Sequence, residues 1–441
     1  MLEQALYLRH RNLRFATRMH KIIFIGLDGM PFGLMQRLVK EGIMPNLGRL
    51  MQQGACVPMR SSLPPVSSVA WSSMITGVNP GSHGIFGFTD LEPMSCKYKF
   101  PILSDLRAEP FWGTINHKGI KTVVINVPAT YPAPQVDGLL ISGFVVPDFE
   151  RAVYPKKLLP FLKEMNYRVD PDLELAKRNL NEFMDDLLKV VEARINFTQW
   201  AWKEVSWDVF MIVFTETDRL HHFLFDAVED NKHPLHERAM ALYRRIDAWL
   251  GEILNKCSGQ ERFIVMSDHG FCRLEQEVHI NVFLKEHGWL CLREGGEFPG
   301  DMLSQTKSFA LDPCRIYLHR KGRFPCGSVM PEDEEKLVKE LESALYSMTF
   351  NGKSVVKKVF HKKDIYSGSQ IDRAPDMVVL PEDGFDFKAD MAQNDIFTAS
   401  RFTGMHTYEN AFLVCSDKKV SIPVDPDVAC VRGMLDFNPE S

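Results

Sequence analysis

Acids and histidines lie directly beyond several short apolar segments of this 441-residue sequence. Asp28 follows the apolar segment 21–27, and Asp268 and His269 follow the apolar segment 263–266. In open α/β sheets, ligands bind beyond the carboxyl ends of the strands. Carboxylate and imidazole groups at such an edge are suited to bind a divalent cation. Taken alone, Asp28 fits a turn or a helix cap better than a metal ligand.

The segment 216–222 has an acid and a histidine at helical spacing. Asp218 and His222 are four residues apart, so one turn of helix places them on the same side. That arrangement suits two ligands of one cation, and a carboxylate–histidine pair at a helix start explains it equally well. His406, just before the apolar segment 411–414, is an ordinary loop histidine by itself and a candidate third ligand beside Asp218 and His222.

A candidate nucleophile lies in the segment 64–71, which reads PPVSSVAW. Ser67 is weakly nucleophilic at neutral pH unless a base or a metal lowers the pKa of its hydroxyl. No such group is adjacent in sequence, so Ser67 alone is interpreted as a turn or cap serine. Its chemistry depends on which acids and histidines come close to it in the folded chain.

Three further polar residues are candidates for contact with a substrate. Asn126 and Thr130 lie at and beyond the end of the apolar segment 122–127, and the guanidinium of Arg315 could bind a phosphate bidentately. Each also has a structural explanation. Polar side chains commonly satisfy the backbone of a proline-containing loop, and arginines commonly form surface ion pairs.

The elements that must position these residues follow from apolar periodicity. Continuous apolar runs are typical of strands buried on both faces of a parallel sheet. They occur at 21–27, 122–127, 208–214, 263–266, 377–380 and 411–414. Helical patterns occur at 33–40, 46–53, 180–203, 237–255 and 331–345. This alternation predicts an α/β fold in which helices cover a mostly parallel sheet.

Composition and charge limit the class of protein. Apolar residues make up 45% and charged residues 25%, which is ordinary for a globular protein. The formal charge of -5 gives no global attraction to nucleic acid or to an anionic membrane. No apolar segment approaches the roughly 20 residues of a membrane-spanning helix. Nine scattered cysteines without a Cys-x-x-Cys pair indicate reduced thiols, so we expect a cytoplasmic protein.

Together these segments resemble the alkaline phosphatase superfamily in order and approximate spacing. Within it, the chain most resembles the type I phosphodiesterase and nucleotide pyrophosphatase family, from about Lys21 to Val414. The motifs that carry the resemblance are Asp28-Gly29, Ser67 with Thr76-Gly77 and His83-Gly84, Asp218-x-x-x-His222, Asp268-His269-Gly270, and Gly404-x-His406. The resemblance implies an alkaline-phosphatase-like three-layer αβα sandwich around a mostly parallel sheet, with inserted cap regions.

The resemblance also implies a site with two divalent cations, each held by three side chains. These sets are Asp218, His222 and His406 for one ion, and Asp28, Asp268 and His269 for the other. Ser67 would then lie near both ions as a ligand and as the nucleophile, with Ser68 as the fallback choice. Zinc suits the histidine content, and manganese is the alternative. The implied reaction is hydrolysis of a phosphodiester or pyrophosphate through a phosphoseryl or nucleotidyl-seryl enzyme.

One departure from the family pattern lies three residues after Ser67. Nucleotide pyrophosphatases have an asparagine there that steadies a phosphate oxygen, and this chain has Ala70. The expected substrate is a small phosphate ester or a nucleotide-like molecule. One alternative is phosphomonoester hydrolysis or phosphomutase chemistry on the same metals. Another is a non-catalytic binding protein that keeps the fold.

The predicted organisation is one catalytic domain over residues 21–415. Cap insertions are expected at about 88–200 and 276–374. Residues 1–20 are predicted to be a disordered basic leader, and residues 416–441 a C-terminal tail. The oligomeric state is left open.

Overall fold

A computed structural model of the chain describes residues 21–92, 94–313 and 315–435. The leader predicted at 1–20 lies outside the described residues. The strands are β1 (Ile22–Leu27), β2 (Ala55–Met59), β3 (Asp90–Leu91), β4 (Tyr98–Lys99), β5 (Thr122–Val127), β6 (Gly138–Ser142), β7 (Val153–Tyr154), β8 (Val209–Phe214), β9 (Arg262–Met266), β10 (Gly270–Arg273), β11 (Gln276–His279), β12 (Ser308–Leu311), β13 (Arg315–Leu318), β14 (Thr349–Phe350), β15 (Lys353–Ser354), β16 (Val356–His361), β17 (Met377–Pro381), β18 (Phe385–Lys388), β19 (Phe397–Thr398), β20 (Gly404–Thr407) and β21 (Ala411–Cys415).

The α-helices are α1 (Phe32–Lys40), α2 (Pro45–Gln53), α3 (Ser67–Thr76), α4 (Pro80–His83), α5 (Phe111–Asn116), α6 (Leu159–Glu164), α7 (Leu173–Arg178), α8 (Leu180–Glu204), α9 (Glu216–Glu229), α10 (His236–Lys256), α11 (Ile280–Glu286), α12 (Pro331–Ser347) and α13 (Lys362–Ile365). Short 3-10 helices lie at Leu103–Asp105, Phe149–Ala152, Lys156–Leu158, Ile371–Arg373 and Val428–Leu435.

Eight strands form a large central sheet in the order β2-β21-β9-β1-β8-β5-β6-β7. The inner strands β9, β1, β8, β5 and β6 run parallel, and the strands at both edges pair antiparallel. Every residue of β1 and β8 is buried. Both faces of these strands are covered, which explains their continuous apolar sequences. The predicted α/β class with a mostly parallel sheet is confirmed.

Two apolar layers cover the faces of this sheet. Ile23 and Ile25 of β1 pack into one layer with α1, α2, α8 and α10. Ile22 and Phe24 point to the opposite face and pack with α3, α5 and the 3-10 helix Val428–Leu435. Alternation along the strand sends successive side chains to opposite faces. The three-layer αβα arrangement expected from the family resemblance is therefore present.

The strands and helices predicted from the sequence all occur, with ends within two residues of the predicted ones. Two strands have partners that periodicity does not reveal. β17 lies in a separate antiparallel sheet, β12-β13-β17-β16, and β21 joins the central sheet in the antiparallel direction. Burial makes both segments apolar, whichever sheet they enter.

The segments expected to form caps have different positions in the fold. Within 276–374, β12, β13, β16 and α12 contribute to an apolar core of their own. Within 88–200, however, β5, β6, β7 and α8 belong to the central layers. The strand β6 is short and follows a proline-rich loop, so its sequence did not stand out from irregular structure. The division into domains stays a prediction.

Two other expectations concern membrane association and redox state. None of the described helices has the length and apolarity needed to cross a bilayer. The eight cysteines in the described part of the chain form no disulfide. A cytoplasmic location stays a prediction.

Gly26 in β1 lets helix α3 approach the central sheet closely. A Cβ at this position would lie 2.5 Å from Cη2 of Trp71 and 2.9 Å from Cγ2 of Val213. We predict that Gly26→Ala lowers the free energy of unfolding by about 1–3 kcal/mol, because the packed side chains must move to make room. Urea unfolding followed by circular dichroism measures the change.

Gly33→Ala is the matched control for this substitution. Nothing lies within 4 Å of a Cβ added to Gly33, which is in helix α1. Alanine has the higher helix propensity, so this variant should be more stable by up to about 1 kcal/mol. Equal stability of the two variants would contradict the close packing of α3 on β1.

Candidate metal centre

Three acids lie at the ends of three neighbouring strands. β9, β1 and β8 are adjacent and parallel, so their carboxyl ends meet at one edge of the sheet. Asp28 follows β1 directly, and Asp268 follows β9 after one residue. Asp218 lies in the first turn of α9, which begins just after β8. This edge is where open α/β sheets bind ligands.

Three histidines join these acids from separate elements. His222 lies one helical turn after Asp218, and its Nε2 is 3.4 Å from Asp218 Oδ1. His269 is in the connection from β9 to β10. His406 is in β20, whose antiparallel pairing with β10 places it opposite Phe271. The rings of His269 and His406 stack with their centroids 3.7 Å apart.

Asp218, His222 and His406 form the first candidate cluster, with one ligand atom from each lying within 4.8 Å of the others. Nε2 of His406 is 3.2 Å from Asp218 Oδ1 and 3.0 Å from His222 Nε2. Two imidazole nitrogens and a carboxylate oxygen that converge in this way can share one cation. The side chains of His222 and His406 are 21% and 19% exposed, so the cluster is accessible from solvent.

Asp28, Asp268 and His269 form the second candidate cluster and are fully buried. Nε2 of His269 is 3.6 Å from Asp28 Oδ1 and 3.4 Å from Asp268 Oδ2. The hydroxyl oxygen of Ser67 is 3.2 Å from Asp28 Oδ1 and 3.1 Å from His269 Nε2. His269 Nε2 is also 3.9 Å from Asp218 Oδ1, so the two clusters adjoin each other.

The outer atoms of these side chains are arranged as in metal sites. Nδ1 of His406 is 3.0 Å from the carbonyl oxygen of Pro65, and Nδ1 of His269 is 3.1 Å from that of Gly270. A carbonyl only accepts, so Nδ1 carries the hydrogen in both rings and Nε2 is left as a ligand atom. Oδ2 of Asp268 is buried and has no hydrogen-bond partner among the described residues. The residues present therefore fit divalent cations.

Burial also sets the charge states in the metal-free protein. It raises the pKa of Asp28 well above its usual value, and the charges of Asp268 and Asp218 raise that pKa further. Burial raises the pKa of Asp268 to about 7, against the opposing hydrogen bond from the Gly29 backbone. It lowers the pKa of His222 to about 3. The imidazole of His222 is therefore neutral at pH 7 and does not compensate the charge of its neighbour Asp218.

The other histidines of the motifs have structural partners. Nδ1 of His221 is 2.9 Å from the carbonyl oxygen of Gly29, and its Nε2 is 2.5 Å from the hydroxyl of Tyr243. Nε2 of His83 is 3.0 Å from the hydroxyl of Ser73. Burial lowers the pKa of His83 to about 3, so this histidine is neutral and braces its loop.

The three residues proposed from sequence to contact substrate make hydrogen bonds to the protein backbone. These bonds run from Asn126 to the carbonyl of Val213, from Thr130 to that of Val127, and from Arg315 to those of Asp312 and Thr89. All three side chains are buried. Asn126 and Thr130 satisfy backbone carbonyls, as their structural explanation expects, whereas Arg315 is buried on backbone carbonyls and not in the surface ion pair expected of it. A contact with substrate stays a prediction for all three.

Three residues around the centre were not singled out from the sequence, and each contacts one of the acids. Trp71 donates a hydrogen bond to the side chain of Asp28, and Thr217 donates one to the backbone carbonyl of Asp28. Arg219 donates to the side chain of Asp218. Trp71 lies four residues after Ser67, so helical spacing was a usable signal for it. For Thr217 and Arg219, the direction of the side chain is visible only in the fold.

Comparison with known proteins assigns the chain to a family. The model for the type I phosphodiesterase / nucleotide pyrophosphatase family matches residues 22–409. The chain belongs to this family. Members of this family are metal-dependent hydrolases of phosphate esters, and the chain is a hydrolase of this class. No curated protein sequence matches it significantly.

Solved structures share the fold of this phosphodiesterase-family chain. Phosphonoacetate hydrolase from Sinorhizobium meliloti 1021, in complex with phosphonoformate, has a TM-score of 0.62 at 16% identity, covering 94% of this chain and 95% of that one. Inactive murine ectonucleotide pyrophosphatase / phosphodiesterase 5, in complex with AMP, has a TM-score of 0.54 at 14% identity, covering 94% of each chain. At these identities the likeness shows the fold alone.

We predict that this chain binds zinc more tightly as the pH rises through about 7. Below the raised pKa of Asp268, about 7, a proton occupies the carboxylate and must leave when a cation binds. Competition with a chelator at pH 6 and pH 8 measures the dissociation constant, which should be larger at pH 6. Calorimetry in two buffers should detect proton release. Affinity independent of pH would contradict the prediction.

Proposed function

We propose that the chain hydrolyses a phosphodiester or pyrophosphate bond of a small molecule, with Ser67 as the nucleophile between two divalent cations. The position of the Ser67 hydroxyl carries the proposal, since it lies 3.1 Å from His269 Nε2 and 3.2 Å from Asp28 Oδ1. In the folded chain this serine has the neighbours that it lacks in sequence.

The two ligand clusters support a centre with two cations. Each cluster contributes three side chains, which leaves coordination positions for phosphate oxygens. When bound, two divalent cations stabilise negative charge on the attacking and leaving oxygens. The carboxylates of Asp28, Asp218 and Asp268 offset much of the positive charge. Three histidines favour zinc over magnesium or calcium, with manganese as the alternative.

Ser67 is the first residue of the ten-residue helix α3. The N-terminus of a helix favours an anion, because its first backbone N–H groups have no partner within the helix. Attack forms a bond between Ser67 Oγ and phosphorus as the hydroxyl proton passes to water, and the bond to the leaving oxygen breaks, with the leaving group taking up a proton. The product is a phosphoseryl or nucleotidyl-seryl enzyme, and hydrolysis by water restores the hydroxyl.

The start of α3 also supplies donors that the missing asparagine would have provided. Ala70 is buried in the apolar layer beneath α3, so its side chain cannot contact a phosphate. The backbone N–H groups of Val69 and Ala70 donate to the carbonyl of Val66, so we propose that those of Ser67 and Ser68 hold the corresponding phosphate oxygen. Fixed donors of this kind stabilise charge that develops during the reaction.

Two structures of related fold support a small phosphorus-containing substrate. The phosphonoacetate hydrolase structure contains phosphonoformate, and the murine phosphodiesterase structure contains AMP. Both ligands carry a phosphorus group on a small organic molecule. We propose a substrate of this class, and diester and monoester substrates are to be distinguished by experiment.

The test measures turnover of bis-p-nitrophenyl phosphate and p-nitrophenyl phosphate with zinc or manganese. We expect faster turnover of the diester. Ser67→Ala should lower kcat/KM by about 100-fold or more while the bound metal stays unchanged, because the nucleophile is lost. Ser72→Ala is the matched control, since this serine is buried one turn further along α3 and its hydroxyl has no partner among the described residues.

The outcomes separate the alternatives. Unchanged turnover by the Ser67→Ala variant would contradict the assignment of Ser67 as the nucleophile. The attacking group would then be Ser68 or water, and Ser68→Ala distinguishes these two. Faster turnover of the monoester would favour phosphomonoesterase or phosphomutase chemistry. A metal-loaded protein that hydrolyses neither ester would contradict the proposed diesterase activity.

A further inference from the structure

Arg219 is a buried arginine next to the candidate ligand Asp218. Its side chain is 11% exposed. Nη1 of Arg219 donates to Oδ2 of Asp218 at 2.9 Å. Nε and Nη2 donate to the two carboxylate oxygens of Asp170, each at 2.9 Å. A bidentate pair of this kind fixes the plane of the guanidinium group.

The two oxygens of Asp218 therefore have different neighbours. Oδ2 accepts the hydrogen bond from Arg219. Oδ1 faces the imidazoles and lies 3.2 Å from Nε2 of His406 and 3.4 Å from Nε2 of His222. Only Oδ1 points to the position that a cation would occupy in the first cluster.

We propose that Arg219 and Asp170 form a clamp that makes Asp218 bind its cation through Oδ1 alone. The inference rests on the proposed two-cation centre and identifies the residues that orient one of its ligands. Arg219 is a positioning residue, and Asp170 acts through it. Outer partners of this kind hold a ligand in one orientation before the cation binds.

The charge of Asp170 is essential to the clamp. An arginine paired with Asp218 alone would neutralise the ligand and compete with the cation. Asp170 binds Arg219 through two oxygens, so the three side chains carry one net negative charge. Asp218 is thus oriented while its attraction for a divalent cation is kept.

The segment that carries Asp170 is itself anchored. Arg194 donates to the hydroxyl of Tyr167 at 2.8 Å and to the carbonyl of Val169 at 2.9 Å. Arg194 also forms a fully buried ion pair with Glu216, two residues before Asp218. Two arginines therefore join one loop to the start of α9, which is the geometry that a rigid clamp requires.

One face of the Arg219 guanidinium is covered by an aromatic ring. The Arg219 guanidinium carbon lies 4.2 Å from the centre of the Phe144 ring. Stacking on an aromatic ring suits the planar guanidinium better than the compact ammonium of lysine. Lysine at this position can therefore supply the charge and cannot reproduce both the stacking and the bidentate bond.

The test measures zinc stoichiometry and the two dissociation constants by chelator competition on the full chain. Arg219→Gln and Asp170→Asn should each raise the dissociation constant of one of the two zinc ions by about 10- to 100-fold and leave that of the other unchanged. Arg219→Lys should recover part of the loss. The absorption spectrum of Co²⁺ in the same protein should change, because a freed Oδ2 alters the coordination of Asp218.

Arg168→Gln is the matched control. Arg168 lies two residues before Asp170 but pairs with Asp186, at 2.6 Å, and not with Asp218. Its removal should leave both zinc affinities unchanged. The double variant of Arg219→Gln with Asp170→Asn should bind zinc no more weakly than Arg219→Gln alone, since Asp170 acts through Arg219.

The outcomes distinguish the clamp from the proposed function. Suppose that the wild-type protein binds two zinc ions. Unchanged zinc affinity in the variants, or additive losses in the double variant, would then overturn the clamp and leave the hydrolase proposal standing. Wild-type protein that binds no zinc or manganese would overturn the two-cation centre itself. If Arg219→Gln does not fold, Asp170→Asn tests the clamp, because the Asp170 side chain is 24% exposed and tolerates the change more readily.

Discussion

The burial of three carboxylates at one edge of the central sheet is the constraint on which the rest of the structure depends. Asp28, Asp218 and Asp268 are at most 1% exposed. Moving a carboxylate from water into a protein costs several kcal/mol unless a partner compensates its charge. Among the described residues, Asp218 alone of the three has an arginine or lysine within ion-pair distance. Burial therefore raises the pKa of Asp28 and Asp268, and a divalent cation that replaces their protons supplies the missing positive charge.

The same packing that buries the acids also positions Ser67, the proposed nucleophile. Helix α3 carries Ser67 at its start and Trp71 one turn later, and Trp71 both packs over Gly26 and donates to Asp28 at 2.9 Å. The backbone N–H of Gly29 donates to Asp268 at 3.1 Å. Ser67 and Asp28 are therefore held by contacts between α3 and the end of β1, and Asp268 is held by a bond between the ends of β1 and β9. Movement of α3 would change the distance from the hydroxyl to both clusters.

The family match and the local contacts of the site explain different properties of this chain. The family match covers most of the chain and accounts for the hydrolase class. Ala70 stands where the family resemblance implies an asparagine, and it is buried. The backbone at the start of α3 is therefore the proposed replacement for that asparagine. Arg219, held by its bidentate partner Asp170, donates a hydrogen bond to the candidate metal ligand Asp218.

The sequence by itself determined the features that depend on local periodicity. Apolar runs identified the buried strands, and a four-residue spacing placed Asp218 and His222 on one side of a helix. Only the tertiary structure decided which distant residues meet. His406 approaches Asp218 because β20 pairs with β10, and Arg219 in α9 meets Asp170 because Arg194 joins the loop of Asp170 to the start of α9. Contacts between distant segments set the order and the direction of the strands and the direction in which each loop side chain points. These contacts leave no periodic signal in a single sequence.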